Sequence, residues 1–358
     1  MDTLKTLLMG AVGLKVPTEF AQDNYDYKAA LHDEMKKLFC DENGRFSNKM
    51  YRRNKYDVFD LIGEVIDEEL PASVNAALDA FCEVRQYPQG SRPEFYITRG
   101  KTRGKQFVTR ATEAGDYETF RLDRDSFSVY PQTIGGATYI DFERYLDGVE
   151  DLAEQIDVLI EGMLDYIFYM IQDCLLQSWK AAGRPAANKI SATSFVISSM
   201  VDLINAVRPY GAPVIYCSPE FAMTMTNEIV YKTTGAGAVL PEADKNEIRD
   251  RGYIGVFRGT PVVVMPQSYV DETNTKRAIN PCFAYVIPAG KEKIVKVCFE
   301  GNTEVREDQA VGDWSTIWKM YRKVGVGIVT TPNYWGIYYN SGIDAGGWDE
   351  YNTELVGE

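Results

Sequence analysis

Between Phe142 and Leu175 the sequence holds one apolar face in helical step. Phe142, Tyr145, Leu146, Val149, Leu152, Ile156, Leu159, Ile160, Met163, Leu164, Ile167, Ile171, Cys174 and Leu175 recur at three-and-four spacing. The run ends at Gly183 and Pro185, residues that stop helices. The spacing predicts a single helix of roughly forty residues, on the order of 60 Å long at 1.5 Å per residue. That is far beyond the usual helix of a globular domain. Its opposite face is acidic, with ten Asp or Glu from Asp141 to Asp173 and Arg144 as the one base in that span. A face of this kind is either solvated or turned toward a basic partner.

Ahead of this helix the period changes. Phe95 and Ile97, Phe107 and Thr109, then Tyr117, Phe120 and Leu122 alternate in short runs broken by Gly100, Gly104 and Gly115. A long exposed β-hairpin is expected. Between Arg92 and Arg110 it carries six bases (Arg92, Arg99, Lys101, Arg103, Lys105, Arg110) against one acid, Glu94. Such an arm is too polar to fold around a core of its own.

Residues 1 to about 90 alternate helical and irregular stretches. Tyr25 to Phe39 and Val58 to Val84 have helical spacing, and Pro71 is expected to divide the second run by opening a new helix. Tyr51 to Lys55 reads as a solvated basic loop. After Pro185 an α/β pattern follows: a helix near Ser194 to Val207, a buried strand Pro213 to Cys217, a helix opened by Ser218 and Pro219, and a loop at Thr233 to Gly237. Strands are expected at Ile254 to Phe257, Thr260 to Met265, Phe283 to Ile287, Ile294 to Phe299, Thr316 to Thr330 and Tyr334 to Tyr339. Residues 342 to 358 read as a loose acidic tail.

Composition narrows the function classes. The net charge of -14 repels phosphate, so binding of nucleic acid by counterion release is not expected. The single histidine, His32, lies among Asp33, Glu34 and Lys36 at a surface position, which leaves Ser-His-Asp, Cys-His and multi-histidine metal chemistry without their imidazole. Cysteines 40, 82, 174, 217, 282 and 298 form no C-x-x-C pair and read as reduced core thiols. Gly100-Lys101-Thr102 lacks the earlier glycine of a phosphate loop, because Phe95 stands there, and Gly235-Ala236-Gly237 lacks the third glycine of a dinucleotide fingerprint. Glu300, Glu304 and Glu307 could gather around a cation, but a turn with solvated charge is the better account. Leu7 to Leu14 is flanked by Asp2 and Lys15 and has no cleavage signal, and no run reaches the ~18 apolar residues of a membrane span. No enzyme activity, cofactor, metal or membrane is expected, and the product is expected to be soluble and cytoplasmic.

The order of elements, together with Val129-Tyr130-Pro131 leading to Gly135-Gly136, Tyr139 to Leu146 entering the long helix, Gly255 to Val263 and Ile287-Pro288-Ala289-Gly290, resembles the major capsid proteins of tailed bacteriophages with the Hong Kong ninety-seven fold. The resemblance covers roughly residues 91 to 340. It implies an α+β fold with 1-90 as an N-terminal arm, 91-139 as an extended hairpin loop, 140-187 and 291-331 as a peripheral domain on a long spine helix, and 188-290 and 332-341 as an axial domain. Residues 342-358 form the tail, and Tyr231 to Asp250 becomes a loop near the axis. It further implies self-assembly into hexamers and pentamers that form an icosahedral head around double-stranded DNA. Partners would be a portal, a scaffold protein and decoration proteins, with the DNA enclosed but not read by sequence, in a virion built in the bacterial cytoplasm. Inter-subunit contacts are expected from Arg99, Lys101, Arg103 and Lys105 to Glu150, Glu154 and Asp157. Some members weld lysine to asparagine between subunits; Lys101 and Lys105 suit such a lysine, but neither the asparagine nor the promoting acid can be matched. An encapsulin shell of the same fold is the nearest alternative, and an α/β enzyme using a carboxylate pair in 188 to 340 is a more distant one.

Overall fold

The computed structural model describes residues 2–13, 26–41, 45–78, 82–97, 125–139, 151–181, 184–235, 242–265, 267–271, 273–289, 293–309, 316–329 and 334–356. Two sheets carry the architecture. The first has four strands: β1 (Cys82–Tyr87), β4 (Gln132–Tyr139), β10 (Val295–Gln309) and β11 (Thr316–Ile328), in the order β1-β10-β11-β4. β1 runs parallel to β10, and the other pairs are antiparallel. The second has six strands: β5 (Lys189–Ala192), β6 (Ala212–Cys217), β7 (Val256–Phe257), β8 (Thr260–Val264), β9 (Phe283–Ala289) and β12 (Gly336–Asn340), in the order β5-β12-β9-β6-β8-β7. A separate pair joins β2 (Glu94–Ile97) to β3 (Asp125–Ser128).

Side-chain alternation explains how these sheets are covered. In β10, Val295, Val297 and Phe299 enter the main core while Cys298 turns to the other face. In β9, Tyr285 and Ile287 enter that same core, and Ala284 and Val286 enter a second core under the helices α5 (Ile197–Val207) and α6 (Pro219–Gly235). A central strand covered on both faces reads as an unbroken apolar run, as β9 does. Ser218 caps α6, its Oγ accepting from the Phe221 amide at 3.2 Å, in line with the expected start.

Helix α3 (Asn48–Leu78) differs from the sequence reading. It is one helix of 31 residues that passes through Pro71 and includes Tyr51 to Lys55, so Pro71 opens no new helix and the basic stretch is no loop. Val84, read as helical, lies in β1. Proline inside a helix costs about 3 kcal/mol. Ile62, Val65, Ile66, Leu70 and Val74 are all completely buried, at about 1.5–3 kcal/mol each, which outweighs that cost. With α1 (Asp2–Ala11) and α2 (Tyr27–Phe39) packed against α3, and β1 built into the first sheet, the N-terminal region has a compact pattern that its sequence did not display.

The long central helix is also shorter than its periodicity implies. Helix α4 (Leu152–Gln177) has 26 residues, about 39 Å at 1.5 Å per residue. Asp151 is its N-cap, with extended backbone (φ −112, ψ 113) and a carboxylate that accepts from the Ala153 amide at 2.9 Å. This helix therefore begins at Leu152, where the Asp151 carboxylate satisfies an amide of the first turn; residues 140–150, through which the apolar period also runs, lie outside the described residues. Helix α7 (Glu242–Arg251) and the end of α6 occupy most of the stretch read as a loop from Tyr231 to Asp250.

The chain end is a third correction. Helix α8 (Asp349–Val356) is docked rather than loose. Trp348 is buried, stacks on Tyr169 at 5.9 Å and donates from Nε1 to the Arg277 carbonyl at 2.8 Å. The Tyr351 hydroxyl donates to Asp173 at 2.8 Å, and Asn280 bonds Asn352. No helix among the described residues is long and apolar enough to cross a membrane.

Candidate assembly surfaces

The hairpin is described at its root, where β2 and β3 pair antiparallel from Glu94↔Ser128 to Ile97↔Asp125. Residues 98–124, with Arg99, Lys101, Arg103, Lys105 and the Gly100-Lys101-Thr102 stretch, lie outside the described residues. The root sits on the face of the first sheet opposite α4. Phe95 and Phe127 stack at 5.9 Å, and Phe95 and Val129 bury against Cys298. Gly325 and Gly327 of β11 make the seat. A Cβ on Gly325 would stand 2.7 Å from Cys298 Sγ and 2.8 Å from Val129 Cγ1; one on Gly327 would stand 2.7 Å from Val129 Cγ2 and 2.9 Å from Phe127 Cε2. Only residues without a side chain let the root lie flat on the strand.

A charged ring fastens the strands around that seat. Glu300 accepts from the Gly90 amide at 2.8 Å and pairs with Lys323 at 3.3 Å; these two contacts hold its carboxyl below the usual range. Glu304 takes the Tyr321 hydroxyl and Arg306, again lowering its pKa, and Glu307 pairs with Lys55 of α3. The three glutamates of the sequence reading are therefore each tied to a donor or base. Among the described residues no cluster of His, Cys, Asp or Glu is arranged to hold a metal ion. Buried Arg322 pairs with Asp67 of α3 at 2.9 Å, and Asp67 also accepts from Thr303 N and Oγ1 at 2.9 and 2.7 Å. All six cysteines are free thiols, and burial pushes Cys217 and Cys282 up to about 12. His32 is half-buried on α2.

Of the expected acidic contacts, Glu150 lies outside the described residues, while Glu154 and Asp157 stand exposed on the first turns of α4. Part of that charge is already answered within the chain. Lys28 of α2 bonds Asp151 at 2.7 Å, and its pKa is raised by that bond, by the Asp151 charge, and further by Glu154 and Asp157. Glu154 and Asp157 themselves remain open at the surface. The basic set that was expected to meet them lies outside the described residues.

Sequence reasoning missed a feature on the same helix. Val158, Gly162 and Tyr166 follow one another at intervals of four, out of phase with the buried Ile156, Ile160, Met163 and Ile167. Val158 is 61% exposed and Tyr166 49%. With Thr133 to Gly136 of the edge strand β4 they line an open groove of about 480 Å³. The signal was present as two large apolar residues on the polar side of the helical wheel.

Helices and sheets that bury their charges in structural pairs, and present an arm seat, an acidic face and an apolar groove, define an α+β protein of surfaces. The family whose model matches residues 18–337 is described as "SPbeta prophage-derived putative capsid protein YonB". The chain belongs to that family of phage capsid proteins. Solved structures similar to this fold include the capsid of cyanophage P-SCSP1u, at 10% identity, TM-score 0.46, 73% of this chain and 87% of that one. The acid-stable capsid of Helicobacter pylori bacteriophage KHP30 has 13% identity, TM-score 0.46, 73% and 90% coverage. The SrpI encapsulin of Synechococcus elongatus has 12% identity, TM-score 0.43, 72% and 84% coverage. No curated protein matches the sequence.

Proposed function

We propose that this chain is the major capsid protein of a tailed phage, which self-assembles into hexamers and pentamers and closes an icosahedral head around double-stranded DNA. The observation that carries this reading is the capsid-family match, which spans residues 18–337 of 358. The same reading divides the chain into an extended loop (91-139), a peripheral domain (140-187 and 291-331) and an axial domain (188-290 and 332-341). The two separate sheets support that division, since each has its own helices, although α3 and β1 join the peripheral sheet. The acidic balance suits a wall that encloses DNA without gripping it. A portal and a scaffold protein are the expected partners, with decoration proteins on the outer face.

In this reading the basic arm, through Arg99, Lys101, Arg103 and Lys105, meets the acidic face of a neighbour at Glu150, Glu154 and Asp157. Exposed ion pairs contribute about 0–1 kcal/mol each, so they set register and salt sensitivity while buried area holds the shell. Electron microscopy of the purified full-length chain is the direct test: closed shells are expected, and a compact monomer at all concentrations would overturn the reading. Changing the four bases to Glu is expected to stop assembly without unfolding the subunit.

A further inference from the structure

Helix α3 carries its charge in the order that least favours a helix. From Arg45 to Lys55 the sequence has five bases and no acid, and from Asp57 to Glu69 it has six acids and no base. The first turn of α3 holds no acid. Acids near an N-terminus favour a helix, and a base four residues ahead of an acid, as Arg53 is to Asp57, is the poorer order of such a pair. Local stability does not explain the arrangement, and a local rule broken at the surface points to a use outside the chain.

The outer face of the helix shows the pattern as a stripe. Lys49, Arg53, Tyr56, Asp57, Asp60 and Glu64 are exposed and follow one another at helical intervals, opposite the buried Tyr51, Val58, Ile62 and Val65. Along the stripe the order is base, base, tyrosine, acid, acid, acid. Among the described residues Lys49, Arg53, Asp57 and Asp60 form no ion pair, and Glu64 shares Lys5 with Glu68.

Such a stripe is complementary to its own reverse. When two copies of α3 run antiparallel about a two-fold axis between Tyr56 and Asp57, Arg53 faces Asp60, Lys49 faces Glu64, and the two Tyr56 rings come together near the axis. Each contact then occurs twice, as an isologous interface requires. A large aromatic at the centre with charges around it is the usual anatomy of an interface. Tyr56 is 64% exposed yet held in place, edge-on to Phe59 at 6.3 Å, and Phe59 meets Trp318 at 4.6 Å. The helix beneath is fixed to the first sheet, Lys55 pairing with Glu307 and Asp67 with Arg322, so the stripe is presented on a rigid element. A polyanion such as DNA would answer the basic half and leave the acidic half without a partner.

We propose that α3 pairs with α3 of a second copy of this chain, antiparallel, across a two-fold axis beside Tyr56. The proposal rests on the shell reading and adds a contact to it. One helix pair falls below the roughly 1,200 Å² of a standard interface, so it joins copies that the shell already brings together.

Charge exchange in the full-length chain tests it. Lys49→Glu with Arg53→Glu, and separately Asp60→Lys with Glu64→Lys, each set like charges opposite one another and are expected to reduce shell yield about tenfold or more. The unassembled subunit should keep its thermal midpoint, because all four positions are exposed. The four changes together exchange the two blocks and are expected to restore the yield. Asp57→Cys, which leaves Tyr56 in place, should give linked dimers and nothing larger when oxidised particles are run on a non-reducing gel, since each copy meets one other at the axis. Normal shells from either pair of changes, no recovery from the four together, or a gel of monomer alone overturns the proposal. A loss from the basic pair alone assigns the stripe to an acidic partner of another kind and overturns it equally. If the unaltered chain forms no particles, the shell reading itself fails, whereas normal shells from the unaltered chain and every variant remove the α3 contact alone.

Discussion

Asp67→Ala should be strongly destabilising, and the geometry sets the size of the effect. The Arg322 side chain is 2% exposed, lies over the Phe299 ring at 4.7 Å and bonds the Ile66 carbonyl at 3.4 Å. Burial already lowers its pKa, and the Asp67 charge offsets that only in part. Removing Asp67 strands this cation and also leaves Thr303 N and Oγ1 without their acceptor. Breaking a buried pair from one side typically costs 3–5 kcal/mol, and because Asp67 is 19% exposed, about 3 kcal/mol is the expected value here. Arg322→Met is gentler, at about 1–2 kcal/mol, since Asp67 keeps both Thr303 donors and reaches water. The double variant should then cost clearly less than the sum, with a coupling of about 1.5 kcal/mol or more. Urea unfolding of unassembled subunit, followed by near-ultraviolet circular dichroism, measures all three. Additive single effects, or a larger loss from Arg322→Met than from Asp67→Ala, would refute this account of the α3–sheet junction.

Three further outcomes follow from the same geometry. Gly325→Val forces a branched side chain into the space of Cys298 and Val129, so it should cost about 1–3 kcal/mol and speed proteolysis within 98–124; unchanged cleavage would show that the glycine seat does not hold the root. Trp348→Ala empties a buried stacking site and should cost about 3–5 kcal/mol in urea unfolding, whereas a surface-like loss under about 0.5 kcal/mol would restore the loose-tail reading. Glu300 has a folded pKa below its unfolded value, so its contribution is present above about pH 4.3 and is lost as pH falls through the folded value. Glu300→Gln should flatten the acid limb of stability measured between about pH 3 and 6, and an identical slope in the variant would count against the Gly90 and Lys323 contacts as its cause.

Most strands of the second sheet, and β10 and β11 of the first, were readable because alternation or unbroken apolar runs mark them directly, whereas β1, read in part as helix, and the short β5 were not. β6, β8, β9, β11 and β12 lie close to their expected positions. The helices were harder to bound. At Pro71 local propensity predicted a boundary, and tertiary burial of Ile66, Leu70 and Val74 overrode it. At Asp151 the periodicity gave no sign of a boundary, yet the residue is extended and its carboxylate caps the helix that opens at Leu152. The tail was misread because polarity along the sequence hides the few residues that dock it, Trp348, Asn352 and Leu355. Of the assembly surfaces, charge was legible and shape was not. Glu154 and Asp157 are exposed as expected, but the groove depends on Gly162 standing beside Gly135 and Gly136, a neighbourhood that no linear spacing records.

Glycine placement ties these surfaces to one design. Gly325 and Gly327 are demanded by contacts within the chain, since a side chain there would collide with the hairpin root. Gly136 is demanded in the same way by α4. On that basis the first sheet is crowded on both faces by its own chain: by the hairpin root on one and by α4 on the other. Among the described residues, what is left uncrowded is the border of α4 with the outermost strand β4, where Gly162 has no neighbour at its Cβ position.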